Sequence, residues 1–183
     1  TAGCSHVTIK VFDAQSGDCL STVNVDSSVN SVAFSPDGTT LAAGCSKKIY
    51  FVDPTAGEIK SSLKVDGRVD SINFAPCGTK LAIACNNFGD DSFSVKIFTQ
   101  EGSAGTFVCQ STLSCDSPVY SIDWHDNRLV AGCDDGTIQV FDAQSGDRLS
   151  TVNVDAGKYG VQSVSFSPKG DMVAAGCYSR KIF

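Results

Sequence analysis

The sequence predicts an all-β fold built from short antiparallel strands, and three features of its 183 residues carry that prediction. The first is a pattern that recurs in phase: Ser31-Val-Ala-Phe-Ser-Pro-Asp-Gly with Leu41-Ala-Ala-Gly-Cys45, Ser71-Ile-Asn-Phe-Ala-Pro-Cys-Gly with Leu81-Ala-Ile-Ala-Cys85, Ser121-Ile-Asp-Trp with Leu129-Val-Ala-Gly-Cys133, and Ser163-Val-Ser-Phe-Ser-Pro-Lys-Gly with Met172-Val-Ala-Ala-Gly-Cys177. An incomplete copy, Ala2-Gly3-Cys4, precedes them. The second is the period: the leading serines lie 40, 50 and 42 residues apart, near the roughly 40 to 45 residues of a unit made of four short strands. The third is punctuation, with turn signals every roughly eight to twelve residues and no apolar periodicity of the helical kind.

The second copy shows how each element arises. Residues 29–34 alternate β-branched or aromatic side chains with small polar ones and read as a first strand. Ser35-Pro36-Asp37-Gly38 then reverses the chain, because Pro36 fixes φ and Gly38 tolerates conformations closed to other residues. Leu41 to Cys45 forms a second strand of small apolar residues suited to cover on both faces. Residues 49–52 form the third, Asp53-Pro54-Thr55-Ala56-Gly57 the next turn, and residues 59–65 the fourth. Four antiparallel strands per period, none able to bury its faces alone, imply a radial stack of small sheets, a β-propeller. The expected division is a partial blade over 1–26, complete blades over 29–66, 69–115 and 119–155, and a partial blade over 161–183.

Two stretches are nearly the same sequence, residues 11–26 and 140–155, differing only at Cys19 and Arg148. A buried site does not accept both a thiol and a guanidinium, so this position is expected to face solvent. The repetition marks the strand pair as architectural.

These motifs resemble the WD40 repeat family along nearly the whole chain. The likeness rests on Ser-Val-x-Phe-Ser-Pro-Asp-Gly, then Leu-Ala-x-Gly, then an apolar strand ending in Asp, then a Ser-Gly or Ala-Gly turn. The resemblance implies a propeller that binds proteins. The family's polar tetrad, however, is absent: Phe12, Val52, Phe98 and Phe141 stand where its tryptophan would, Asp26, Asp66, Asp116 and Asp155 where its histidine would, and Ala43, Ala84, Ala131 and Ala175 at the second-strand hydroxyl. A buried hydroxyl without partners costs about 1–3 kcal/mol, and alanine avoids that cost. The blades are therefore expected to be held by apolar packing alone. Propellers with a Pro-Asp-Gly turn also occur in surface-layer and lactone-hydrolysing proteins, and a lactonase-like or surface-layer-type enzyme is the alternative reading.

The chain starts within one repeat and stops within another, which admits two accounts: a piece of a larger propeller, or two chains sharing incomplete blades in a homo-oligomer. No apolar run approaches the roughly 18 residues of a membrane span, so no membrane partner is expected. Five of nine cysteines occupy one repeat position, which spreads them one to a blade. Sheets packed about 10 Å apart keep such residues from bridging, so all nine are expected to be free and mostly to serve as small buried hydrophobes. Free thiols suit the cytoplasm or nucleus. With His6 and His125 alone and no paired-cysteine motif, no metal or other cofactor is expected. No nucleotide loop or nucleophile elbow is present, and His125, at a strand-to-turn junction, reads as structural.

The surface carries the functional expectation. In the family's layout the turns between second and third strands share a face with the links between blades, gathering Asp26, Asp66, Asp90, Asp91, Asp116, Asp134, Asp135 and Asp155. Lys47, Lys48, Arg68, Lys158, Arg180 and Lys181 sit there too, mainly in the second and fifth repeats. A net charge of −6 and a pI near 4.7 argue against a nucleic-acid backbone and for a basic protein or peptide segment. The third repeat is ten residues longer than the second, the excess falling in residues 86–92 and 100–105. Phe88 is expected to anchor the partner, with Asp90, Asp91, Asp134, Asp135, Asp116 and Asp155 steering it. The chain is expected to be a non-catalytic interaction scaffold.

Overall fold

A computed structural model of the chain describes residues 7–102 and 106–177. The expected Ala2-Gly3-Cys4 strand, part of the 100–105 insertion and the residues after Cys177 lie outside that range. Among the described residues the fold is fourteen strands and one 3-10 turn. β1 (Val7–Phe12) pairs β2 (Cys19–Val25). β3 (Val29–Phe34), β4 (Leu41–Asp53), β5 (Glu58–Phe74), β6 (Lys80–Asn87), β7 (Ser92–Glu101) and β8 (Thr106–Cys115) follow in one hydrogen-bonded series. A four-stranded sheet runs β12-β11-β10-β9 from β9 (Val119–His125), β10 (Arg128–Cys133), β11 (Thr137–Asp142) and β12 (Arg148–Asn153). β13 (Val161–Phe166) pairs β14 (Val173–Cys177), after a 3-10 turn at Gly157–Tyr159. Every pairing is antiparallel.

The continuous series from β3 to β8 arises because β4 and β5 each serve two roles. Leu41, Ala43 and Cys45 pack in the same cluster as Tyr50 and Val52, a change from odd to even positions that follows the irregularity between Ser46 and Lys48. Lys47, at that irregularity, has φ 59. β5 pairs β4 through Glu58–Lys64 and β6 through Arg68–Phe74, ending one four-strand set and starting the next. The register repeats from set to set: Phe34 faces Leu41, Phe74 faces Leu81, Trp124 faces Leu129 and Phe166 faces Val173.

The turns follow from their sequences. Gly38, Gly78 and Gly170 have φ of 71, 74 and 68, and each donates its N–H to the carbonyl three residues back, at 2.8–2.9 Å. Asp13, Asp53 and Asp142 close the turns after the third strands. Each Oδ1 accepts two backbone N–H groups at 2.7–2.9 Å, and those bonds hold the carboxyls below the usual carboxylate range.

Four apolar clusters fill the spaces between successive sheets. The second-strand alanines of β4, β6 and β10 are fully covered, Ala42, Ala43, Ala82, Ala84 and Ala131 having no exposed surface, whereas Ala174 and Ala175 of β14 are exposed. Gly44 is needed there, since a Cβ would overlap Val69 of the next sheet. Cys19 and Arg148 both face solvent, as their interchange implied.

Apolar packing does not act alone, and here the structure corrects the sequence reading. Ser31 Oγ accepts the Ile72 N–H at 3.2 Å, Ser71 Oγ that of Ile122 at 3.2 Å, and Ser121 Oγ that of Val164 at 3.1 Å. One hydroxyl per repeat thus ties each inner strand to the next. At the rim the aspartates in the histidine position bind a cation: Asp26 with Lys48 at 2.9 Å and the Tyr50 hydroxyl, Asp66 with Lys96 at 2.6 Å, Asp116 with Arg148 at 3.2 Å. A carboxylate in that position recruits a cation from the next sheet because it lacks the ring N–H of histidine.

The cysteine expectation divides. All eight described cysteines are free, but Cys45, Cys85, Cys115 and Cys133 are buried while Cys19, Cys77, Cys109 and Cys177 are exposed. The exposed ones lie on β2, a turn, β8 and β14, where no further sheet among the described residues covers them. Burial pushes the Cys45 and Cys85 thiols up to about 11. Cys115, at the end of β8, donates its thiol to the Leu113 carbonyl at 3.8 Å and shares an apolar cluster with Cys133 of β10.

Candidate interaction surface

The turns after the second strands and the links between repeats meet on one rim. The Asp134 N–H binds the Pro118 carbonyl at 2.9 Å, and the Asp135 N–H binds Ser117 Oγ at 3.3 Å. Asn86 spans the same junction one sheet earlier. Its amide donates to Val119 O and Asp70 Oδ2, both at 2.7 Å, and its Oδ1 accepts the Val119 N–H at 2.9 Å.

A bulge aims one residue per repeat at this rim. In β3, β5, β9 and β13 the ladder shifts register beside the leading serine, leaving Asn30, Asp70, Tyr120 and Gln162 out of the pairing. Such an unpaired residue turns its side chain away from the pleat. Asp70 chelates Arg68 at 2.7 and 3.0 Å. Burial, followed by a hydrogen bond to the Asp134 carboxylate, raises the pKa of the Tyr120 hydroxyl. Tyr120, Asp134, Tyr159 and Gln162 together line a cavity of about 400 Å³.

The expected partner residues divide over this rim. Phe88 is 52% exposed, as a partner anchor must be, but its ring is already engaged: Arg68 stands over it at 5.3 Å and Phe93 meets it edge-on at 5.8 Å. Asp90 shares its turn and accepts from Ser92 N and Oγ at 3.1 and 2.6 Å, and Asp91, with φ 53, is exposed. Asp135 is exposed and accepts from Thr137 N and Oγ1 at 2.9 and 2.7 Å, while Asp134 is half-buried in the cavity wall. Asp116 is engaged by Arg148, and Asp155 is exposed on the link that leads to the 3-10 turn. Arg68 lies close enough to bear on Tyr120 as well as Phe88, which connects the Phe88 turn to the Asp134 cavity.

Sequence reasoning placed Arg68 on this face but missed Tyr120, Tyr159 and Gln162. Two signals were present: the residue preceding each leading serine, and the link from Asp155 to Val161, which takes six steps where the links from Asp26, Asp66 and Asp116 to the next valine take three. The longer link makes the 3-10 turn and sets Tyr159 beside Asp134, with Gly160 so close that a Cβ would overlap the Asp134 backbone. His125 Nε2 meets the Pro168 carbonyl at 3.1 Å, joining β9 to the last turn. Among the described residues no three His, Cys, Asp or Glu side chains are grouped as metal ligands.

The antiparallel strand sets and their repeated register define a WD-type repeat propeller. The family profile "WD domain, G-beta repeat" matches residues 17–53, 107–142 and 148–183, more than half of the chain, and the chain belongs to that family. It is similar to eukaryotic translation initiation factor 3 subunit I of Coccidioides immitis (strain RS), 26% identical over 167 residues. That match covers 90% of this chain and 40% of the relative, so the chain spans about two fifths of the relative's length.

Proposed function

We propose that this chain is a non-catalytic interaction scaffold whose rim receives a basic segment of a partner protein. The observation that carries the reading is the Phe88 turn: an exposed aromatic with Asp90 and Asp91 beside it, held by strands whose inner and outer faces are packed. Asp134, Asp135 and Asp155 extend the acidic rim. Asp116 contributes less, because Arg148 offsets its charge. Family membership supports a protein partner, and the relative is by name a subunit of a translation initiation factor, which supports a place in a larger cytoplasmic assembly. No observation favours the lactonase-like alternative.

Rim carboxylates act on encounter more than on residence, so their removal slows association and flattens its salt dependence. The experiment measures the association rate of a pulled-down partner against ionic strength for the native chain, the Asp90→Asn/Asp91→Asn pair and Phe88→Ala. The pair is expected to lower the rate about three- to tenfold at low salt, and Phe88→Ala to speed dissociation. Unchanged rates and affinity in both variants overturn this placement of the surface.

A further inference from the structure

The geometry points to the cavity between Tyr120, Asp134, Tyr159 and Gln162 as a receptor for one lysine side chain of the basic segment, with its ammonium paired to the Asp134 carboxylate beside the two phenol rings. This deepens the reading above and rests on it.

The site is built by three independent features of the chain. The bulges before Ser121 and Ser163 turn Tyr120 and Gln162 to the rim. The lengthened link places Tyr159 there, 46% exposed, with its carbonyl held by the Gln162 side-chain amide. The turn between β10 and β11 supplies Asp134, its N–H fixed on Pro118. The cavity, about 400 Å³, has room for an alkyl stem as well as its charged head. Phenol rings and a carboxylate suit a cation, which is attracted by the ring quadrupole and strengthened by partial exclusion of water.

Lysine fits better than arginine. A guanidinium is held best by a carboxylate offering both oxygens to its planar fork, whereas Asp134 is half-buried in the wall beside Tyr120. What remains is point-charge pairing, which a compact ammonium satisfies. Arg68, the neighbouring cation, is chelated by Asp70, so its charge is offset.

The test uses the full chain and fluorescein-labelled nine-residue peptides of Gly and Ser carrying three lysines, the same peptide with acetyl-lysines, and the same with arginines. Fluorescence polarisation is expected to show binding of the lysine peptide, loss with acetyl-lysine and weaker binding with arginine. Asp134→Asn is expected to weaken the lysine peptide about tenfold and Tyr159→Ala about three- to tenfold. Tyr159→Ala lies on an exposed turn, which guards against a folding defect at Asp134, and unchanged circular dichroism and melting temperature confirm the fold of both. Lysine-peptide binding that survives both substitutions but falls with Asp90→Asn/Asp91→Asn overturns this cavity and leaves the basic-segment reading intact. No binding of any basic peptide by the native chain overturns both, and equal binding of the arginine peptide overturns the choice of lysine.

Discussion

Asp13, Asp53 and Asp142 show how one residue type, in one place in each repeat, governs the response to acid. Each carboxylate is half-buried, and its depressed pKa comes first from the two backbone N–H groups it accepts, with Lys60 adding a smaller part at Asp53. Asp26 and Asp66 are depressed for a different reason, Asp26 chiefly by the Tyr50 hydroxyl and Asp66 by Lys96. A carboxyl with a folded pKa below its unfolded value of about 3.9 stabilises the fold above that value. That stabilisation is lost as pH falls through the folded pKa. Melting temperature is therefore expected to hold from neutral pH to about pH 5 and to fall between roughly pH 4 and 2. Asp53→Asn keeps an acceptor for the Thr55 and Ala56 N–H groups but carries no charge, so the loss between neutral and acid pH is expected to shrink while the neutral melting temperature drops only slightly. An acid transition identical in the variant places the pH dependence elsewhere.

The elements were largely legible in the sequence because their signals are local. Alternation gave residues 29–34 and the Pro-Asp-Gly turn gave the reversal, and both stand as β3 and its turn. Residues 41–45 and 49–52, read as separate strands, fall in one strand, β4, with an irregularity between them at Lys47. The inter-sheet bonds were not legible. The leading serines marked the period, but their partners lie about one period away in the next sheet, and no local pattern announces a contact across that distance. Ser71→Ala leaves the Ile122 N–H without an acceptor in a packed interface, a loss of about 1–3 kcal/mol. Ser163, exposed on β13, serves as the control, and Ser163→Ala is expected to change stability by less than about 0.5 kcal/mol. Urea denaturation followed by circular dichroism measures both, and equal midpoints for the two variants refute the proposed role of the serine.

Over the whole molecule, the same comparison of repeat positions separates what the sequence could say of the surface from what it could not. The acids of the rim and Phe88 were visible by residue type, whereas the cavity was hidden because a bulge and a lengthened link aim its side chains, and those depend on register. Repeat positions also expose the molecule's least settled face. Ile72 and Ile122, the residues after the leading serines, are 4% and 5% exposed, yet Val32 in the same position is 51% exposed, and Phe34 is 53% exposed where Phe74 is buried. Ile9, Val11, Phe12, Val29 and Leu41 border the same hollow, and β3 is the first strand of its series, with no strand among the described residues paired to its outer edge. An apolar strand edge of this kind recruits another strand. We expect the isolated chain to self-associate through it, with light scattering showing species larger than 19.1 kDa at micromolar concentration. Val32→Ser/Phe34→Ser should shift that distribution towards the monomer with little loss of secondary structure, since neither side chain is part of the buried clusters. A native chain that stays a stable monomer up to millimolar concentration would show that the hollow closes by itself, and the β3 edge would then have no claim as an assembly surface.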